Sequence, residues 1–114
     1  MNPGAREKPL VWLHGEIKTP PFSAAARMEA GELLGLLQLG EHVEFPRARP
    51  MTSIAPGCQE LRVKDESADW RIVTCITEDA IVILEVFGKK SARTPRPVLE
   101  NCRRRLSAYL RAIR

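Results

Sequence analysis

Three cations are spaced so that they could act together on an anion, Arg62, Lys64 and Arg71, and the adjacent pair Lys89-Lys90 adds positive charge further along the chain. Residues two apart on a strand share a face. In the run Gln59 to Lys64, Arg62 and Lys64 therefore leave one side while Leu61 and Val63 leave the other. In Trp70-Arg71-Ile72 the arginine points away from both apolar neighbours. If these two runs pair in simple register, Arg62, Lys64 and Arg71 gather on one face of a sheet. The same three also read as ordinary solvent-facing positions of a half-buried sheet, paired with Glu60 or Asp65.

Charge along the chain adds to this. Residues 1–85 carry nine Lys/Arg against thirteen Asp/Glu, a net −4, whereas residues 86–114 carry nine Lys/Arg against Glu100 alone, a net +8. A basic segment of this density is the electrostatic footprint of a polyanion partner, nucleic acid above all, with a solvated basic helix as the alternative. Within it Arg93, Arg96, Arg103 and Arg104 are the candidate nucleic-acid contacts.

The elements that must position these residues follow from periodicity. Pro9 to Leu13 is an apolar run compatible with a first strand, and it is followed by the breakers Lys18-Thr19-Pro20-Pro21. Ala26, Ala30, Leu33, Leu34 and Leu37 then recur at helical spacing, with Ser23 as N-cap and Gly40 closing the helix. Gly31 and Gly35, four apart, would allow another backbone to approach closely. Residues 41–58, with Pro46, Pro50, Pro56 and Gly57, read as a loop-rich connection, and no chemistry is assigned there. Three strand-like runs, Gln59 to Lys64, Trp70 to Thr77 and Ala80 to Val86, are joined by links short enough for hairpins. Residues 94–112 close as a helix, with Thr94 as N-cap, Pro95 in the first turn, and Leu99, Cys102, Leu106, Tyr109 and Leu110 on its apolar face.

The chain of 114 residues suffices for one modest core. It reads as a single domain spanning 1–114, with 1–7 a flexible N-terminus. There is no apolar run of the roughly 20 residues needed to span a bilayer, and Met1 to Lys8 lacks a signal-peptide core, so a cytoplasmic protein without membrane contact is expected. Cys58, Cys75 and Cys102 are odd in number and widely separated, which suggests reduced thiols rather than a disulfide framework or zinc site. No cofactor or metal is expected. His14 and His42 read as surface histidines, and Trp12, Trp70 and Phe87 as packing residues unless one is exposed to stack on a base.

Together, Glu60-Leu61-Arg62-Val63, Trp70-Arg71-Ile72-Val73, Ile81 to Val86 and Phe87-Gly88-Lys89-Lys90-Ser91-Ala92-Arg93-Thr94-Pro95 resemble the RelE/ParE toxin superfamily, in particular its phage-derived and HigB-like branch. The similarity runs from residue 8 to about 112. It implies an α+β fold: a small antiparallel sheet of an N-terminal strand plus a three-strand meander, with the N-terminal helix or helices and the C-terminal helix packed on one side. It further implies a toxin of a type II toxin–antitoxin module that cleaves messenger RNA, possibly on the ribosome, without a metal. Its partners would be a cognate helix-turn-helix antitoxin and, through that antitoxin only, operator DNA. The alternatives are a ParE-like inhibitor of DNA gyrase that performs no chemistry, or a degenerate toxin that only binds its antitoxin.

For RNA cleavage the 2′-hydroxyl attacks the adjacent phosphate and negative charge builds on the phosphate oxygens. Arg62 and Arg71 then stand as phosphate clamps, because a guanidinium fork matches two oxygens. Lys64, Lys89 and Lys90 become candidates for general base or further charge stabilisation. A lysine serves as base only when its pKa falls from about 10.4, a direction in which neighbouring cations push it. Many relatives carry Tyr where this chain has Thr74 or Cys75, and Thr where it has Ser91. Its one tyrosine, Tyr109, lies on the apolar stripe of the last helix.

Overall fold

In the computed structural model, residues 7–13, 22–66, 68–89 and 93–113 are described. The expected flexible N-terminus up to residue 6, and His14, Lys90 and Ser91, lie outside the described residues, as does the side chain of Lys89. Seven elements follow in order: β1 (Leu10–Trp12), α1 (Ala24–Gln38), β2 (Ala48–Pro50), β3 (Cys58–Lys64), β4 (Asp69–Ile76), β5 (Ile81–Lys89) and α2 (Arg96–Ala112). They form an α+β fold around one five-stranded sheet of order β1-β5-β4-β3-β2. Three features depart from expectation. β1 pairs with β5 in parallel, so the sheet is mixed. The connection before β3 contains the short strand β2, whose proline is tolerated because β2 lies at an edge. The helices also do not share a side.

The last point is fixed by alternation within the meander. Leu61, Val63, Ile72, Ile81 and Ile83 pack with Ala26, Ala30, Leu33, Leu34 and Leu37 of α1. Cys58, Val73, Cys75, Val82 and Leu84 pack instead with Cys102 and Leu106 of α2. Ile72 through Cys75 are all buried, as a strand covered on both faces must be. Beyond the part that α2 covers, its face of the sheet stays open, and the cations emerge there.

Local signals explain the helix ends. Ser23 Oγ accepts a hydrogen bond from Ala26 N at 3.1 Å, and Gly40 adopts φ +81° just past the end of α1. Gly31 and Gly35 carry no close packing, since a Cβ at either would meet nothing within 4 Å. In α2 the N-cap position is Pro95 rather than Thr94, and no side chain caps it. The Thr94 hydroxyl is engaged elsewhere, as described below.

One register shift falls between Val73 and Thr74, which face Glu85 and Ile83, so Leu84 is the extra residue of a β-bulge in β5. Arg105 of α2 occupies the irregularity, with Nη1 donating to the Leu84 carbonyl at 2.7 Å and to Glu85 Oε2 at 3.0 Å. Among the described residues, no helix is long and apolar enough to cross a membrane.

Candidate nucleic-acid interface

The open part of the α2-side face is built in cross-strand rows. Arg62 of β3 stands opposite Arg71 of β4, and Lys64 stands opposite Asp69, which in turn is in register with Lys89 of β5. On the other side of β3, Arg49 of β2 pairs with Glu60. Arg47 extends that ladder by one step, its carbonyl accepting from Arg62 N at 2.8 Å. Arg47, Arg62 and Arg71 therefore form one row across three successive segments.

The row is closely spaced. Backbone bonds from Ile76 N to Gly57 O and from Asp65 N to Ala68 O place the hydrogen-bonded pairs of β3 and β4 at odd-numbered β3 positions. Arg62 and Arg71 consequently occupy a non-hydrogen-bonded pair, the type in which Cα atoms come within about 4.5 Å. Like charges directly opposite are destabilising, and a counter-charge lies in the next row of the same face. Glu60, fully buried, places Oε1 3.3 Å from Arg71 Nε, and its Oε2 accepts from Thr94 Oγ1 at 2.8 Å. The Glu60–Arg71 contact is an ion pair without hydrogen-bond alignment, because Arg71 Nε, like Arg62 Nε, is buried with no hydrogen-bond partner. Arg71 Nη1 donates to the Trp70 carbonyl at 3.2 Å, which further fixes the guanidinium.

These side chains line a hollow of about 470 Å³, Arg47, Arg62, Lys64 and Arg71 together with Glu29 and Asp69. Four cations against two carboxylates leave it positive. A second hollow, about 390 Å³, lies between Arg49–Ser53 and the start of α2, where Arg93 and Thr94 line it. Thr94 thus borders the second hollow while its hydroxyl binds the glutamate beside the first.

The structure brings Arg62, Lys64 and Arg71 together, as the spacing predicts, and the backbone of Lys89 joins them in register. Lys64 has an anionic register neighbour in Asp69, so it is not crowded by cations alone. Of the candidates in the basic segment, Arg93 borders the second hollow. Arg103 is occupied in structure, its Nε donating to the Ser53 carbonyl at 2.9 Å. Exposed Arg96 is paired with Glu100 at 3.2 Å, and exposed Arg104 lines neither hollow. Sequence reasoning misses Arg47 and Arg49, which reach this face only through the β2–β3 register, and it reads Thr94 as a cap. Tyr109 packs against the α2-side core, in line with its place on the apolar stripe.

The neighbouring polar groups are structural. Asp65 Oδ2 accepts from Ser23 N at 2.9 Å and from the Trp70 indole at 3.2 Å, and these donors, Ser23 first, lower its carboxyl pKa to about 2. Cys58 and Cys75 are register partners, and Cys102 lies in the same buried cluster. The hydrogen bond with Cys75 and then burial push the Cys58 thiol up, and burial pushes Cys102 up to about 12. The same hydrogen bond lowers the Cys75 thiol, but Cys75 is buried like the other two, so none of the three is presented to a substrate. Among the described residues, no group of three or more His, Cys, Asp or Glu is arranged to hold a metal ion.

Compared with family models, residues 21–107 match the phage-derived protein Gp49-like family (DUF891). No curated protein matches the chain significantly.

Proposed function

The chain belongs to the phage-derived Gp49-like family, a RelE-like toxin family whose membership implies an antitoxin partner, and from that premise we propose that it is the toxin of a toxin–antitoxin pair that cleaves messenger RNA in the cytosol. The observation that carries this reading is the row Arg47–Arg62–Arg71 beside a buried glutamate. Fixed cations aimed at a phosphate are what a transition state with growing negative charge requires, and they need no reorganisation as the reaction proceeds. Arg62 and Arg71 clamp the non-bridging oxygens of the scissile phosphate. The 2′-oxygen attacks phosphorus as its proton leaves to a base. The 5′-oxygen takes a proton as it departs, giving a 2′,3′-cyclic phosphate and a 5′-hydroxyl. Lys64, Lys89 and Lys90 are the groups assigned to proton transfer and charge stabilisation, and Arg93 to holding the flanking strand. A helix-turn-helix antitoxin silences the protein by covering this charge with an acidic surface.

The test is inducible expression in bacteria of the wild type beside Arg71→Ala and Arg62→Met, with growth followed and new 5′ ends mapped in messenger RNA. Growth arrest with new ends that disappear in both well-folded variants supports the reading. Arrest with intact messages and DNA damage transfers the activity to gyrase inhibition, and no arrest refutes an active toxin. Purified protein is expected to lose RNA affinity by roughly 0.7 log units per log unit of salt for each phosphate neutralised.

A further inference from the structure

Beside the cationic hollow stands an aromatic ring that phosphate chemistry does not use. Phe45 immediately precedes Pro46 and Arg47 and is 70% exposed. The ring is nevertheless held: the Arg62 guanidinium carbon lies over it, 5.4 Å from the centroid, within cation–π range. One of the arginines that walls the cationic hollow therefore also pins the aromatic ring, and the two features share a side chain.

On its other side Phe45 borders a separate hollow of about 370 Å³, with Gln59 in the wall and His42 and Glu44 at the rim. Gln59 Nε2 is buried and has no hydrogen-bond partner. An amide donor left unmatched in a pocket wall is costly unless a ligand supplies the acceptor. Gln59 lines the hollow, and because the two ends of its amide are interchangeable in shape, an amide turned end for end can offer its donor to a ligand there.

We propose that Phe45 is a stacking platform for one unpaired nucleobase, seated in the hollow beside Gln59, on an RNA strand whose neighbouring phosphate is held by Arg47 and Arg62. This rests on the RNA reading above and makes it more specific. A nucleobase offers both things the hollow lacks: a flat π-face for the ring and edge acceptors for the amide. A base inside a duplex has its π-face covered by its stacked neighbours, so the subsite selects single-stranded RNA. An acidic or neutral docking peptide would not need the flat π-face, whereas a nucleobase uses the ring and brings a phosphate to Arg62, the cation that lies over it.

The experiment uses the full chain and a short single-stranded RNA carrying 2′-O-methyl groups, which lacks the attacking hydroxyl, beside an abasic version with the same phosphates. Binding is measured for wild type, Phe45→Ala and Phe45→Trp. Since stacking contributes about 1–3 kcal/mol per base, Phe45→Ala is expected to bind the base-bearing strand roughly 5- to 160-fold more weakly. Its salt slope stays unchanged, because no phosphate contact is deleted, and its affinity for the abasic strand falls far less than for the base-bearing one. Phe45→Trp retains affinity and shows fluorescence quenching on binding, in excess of any from Trp12 and Trp70. If wild type binds the RNA but Phe45→Ala binds it equally well and Phe45→Trp is not quenched, the subsite is refuted while the RNA reading stands. If wild type binds neither strand, the RNA reading fails and the subsite with it. Phe45 is exposed, so loss of folding does not confuse these outcomes.

Discussion

Replacing Glu60 with Gln tests the electrostatic design of the face most directly. The change preserves shape and leaves an oxygen to accept from Thr94, but removes the anion paired with Arg71. Arg71 has a side chain only 12% exposed, and it stands directly opposite Arg62. Removing one partner of a buried pair costs about 3–5 kcal/mol. The lower end applies, because Arg71 keeps its bond to the Trp70 carbonyl and retains some contact with water. At about 3 kcal/mol, a chain of this length should melt roughly 10 °C lower. The assay is thermal unfolding followed by circular dichroism at low salt, with and without single-stranded RNA. RNA is expected to restore part of the loss, because phosphate supplies the missing negative charge and the variant face is more positive by one unit. A Glu60→Gln protein that melts within about 2 °C of wild type would refute the reasoning, since solvent rather than Glu60 would then be screening the arginine row.

Other consequences can be checked in parallel. Arg105→Ala removes the donors to the Leu84 carbonyl and Glu85 at the bulge, and should lower stability by about 2–3 kcal/mol. In urea this appears as a lower midpoint at unchanged slope, and an unaltered midpoint would show that the bulge needs no filling. Asp65, held near pKa 2 by Ser23 and Trp70, is depressed below the ordinary carboxyl value of about 3.9. Its contribution is therefore complete above about pH 4 and lost as pH falls towards 2. Asp65→Asn should flatten acid unfolding in that window, and an identical acid profile would count against the α1 cap assignment. Cys58, Cys75 and Cys102 are buried and should resist a thiol reagent at pH 8 until denaturant is added. Rapid labelling of the native protein would place at least one of them outside the core.

Much of the fold was legible because it rests on strong local patterns. The α1 face was readable from Ala26, Ala30, Leu33, Leu34 and Leu37, all buried as expected. The meander was readable from alternation, with its ends displaced by a residue or a few. Placement of the helices was not, because a periodic stripe tells a helix to bury one side without saying which face of the sheet receives it. The bulge at Leu84 was equally invisible: it reverses the alternation of β5 for one residue, so that Glu85 faces α2 beside Val73. β2 escaped notice because three residues ending in Pro50 carry no period at all. Within the site, Arg62, Lys64 and Arg71 could be assembled on paper, since strand spacing alone decides their side. Arg47 and Arg49 could not, because they join only through the β2–β3 register.

Glu60 shows why the most informative residue of the face was read as an ordinary one. By spacing it is simply the next residue on the side that carries Arg62 and Lys64, and a glutamate beside arginines on a strand suggests a solvated surface pair. Burial reverses that meaning. A surface pair contributes at most about 1 kcal/mol, whereas a buried carboxylate must have its charge answered or it destabilises the core. Here it is answered by Arg71 and Thr94. The arrangement violates a local rule, because two arginines directly opposite on a close pair repel each other. Such violations concentrate at functional sites. The excess positive charge left on the open side of Arg62 and Arg71 is what a phosphate would neutralise, so the feature that weakens the free protein is the one expected to bind its substrate. A thermal shift on adding a polyanion that is large for wild type and small for Arg71→Ala would establish that link. Equal shifts for the two proteins would place polyanion binding elsewhere, on the basic segment of α2.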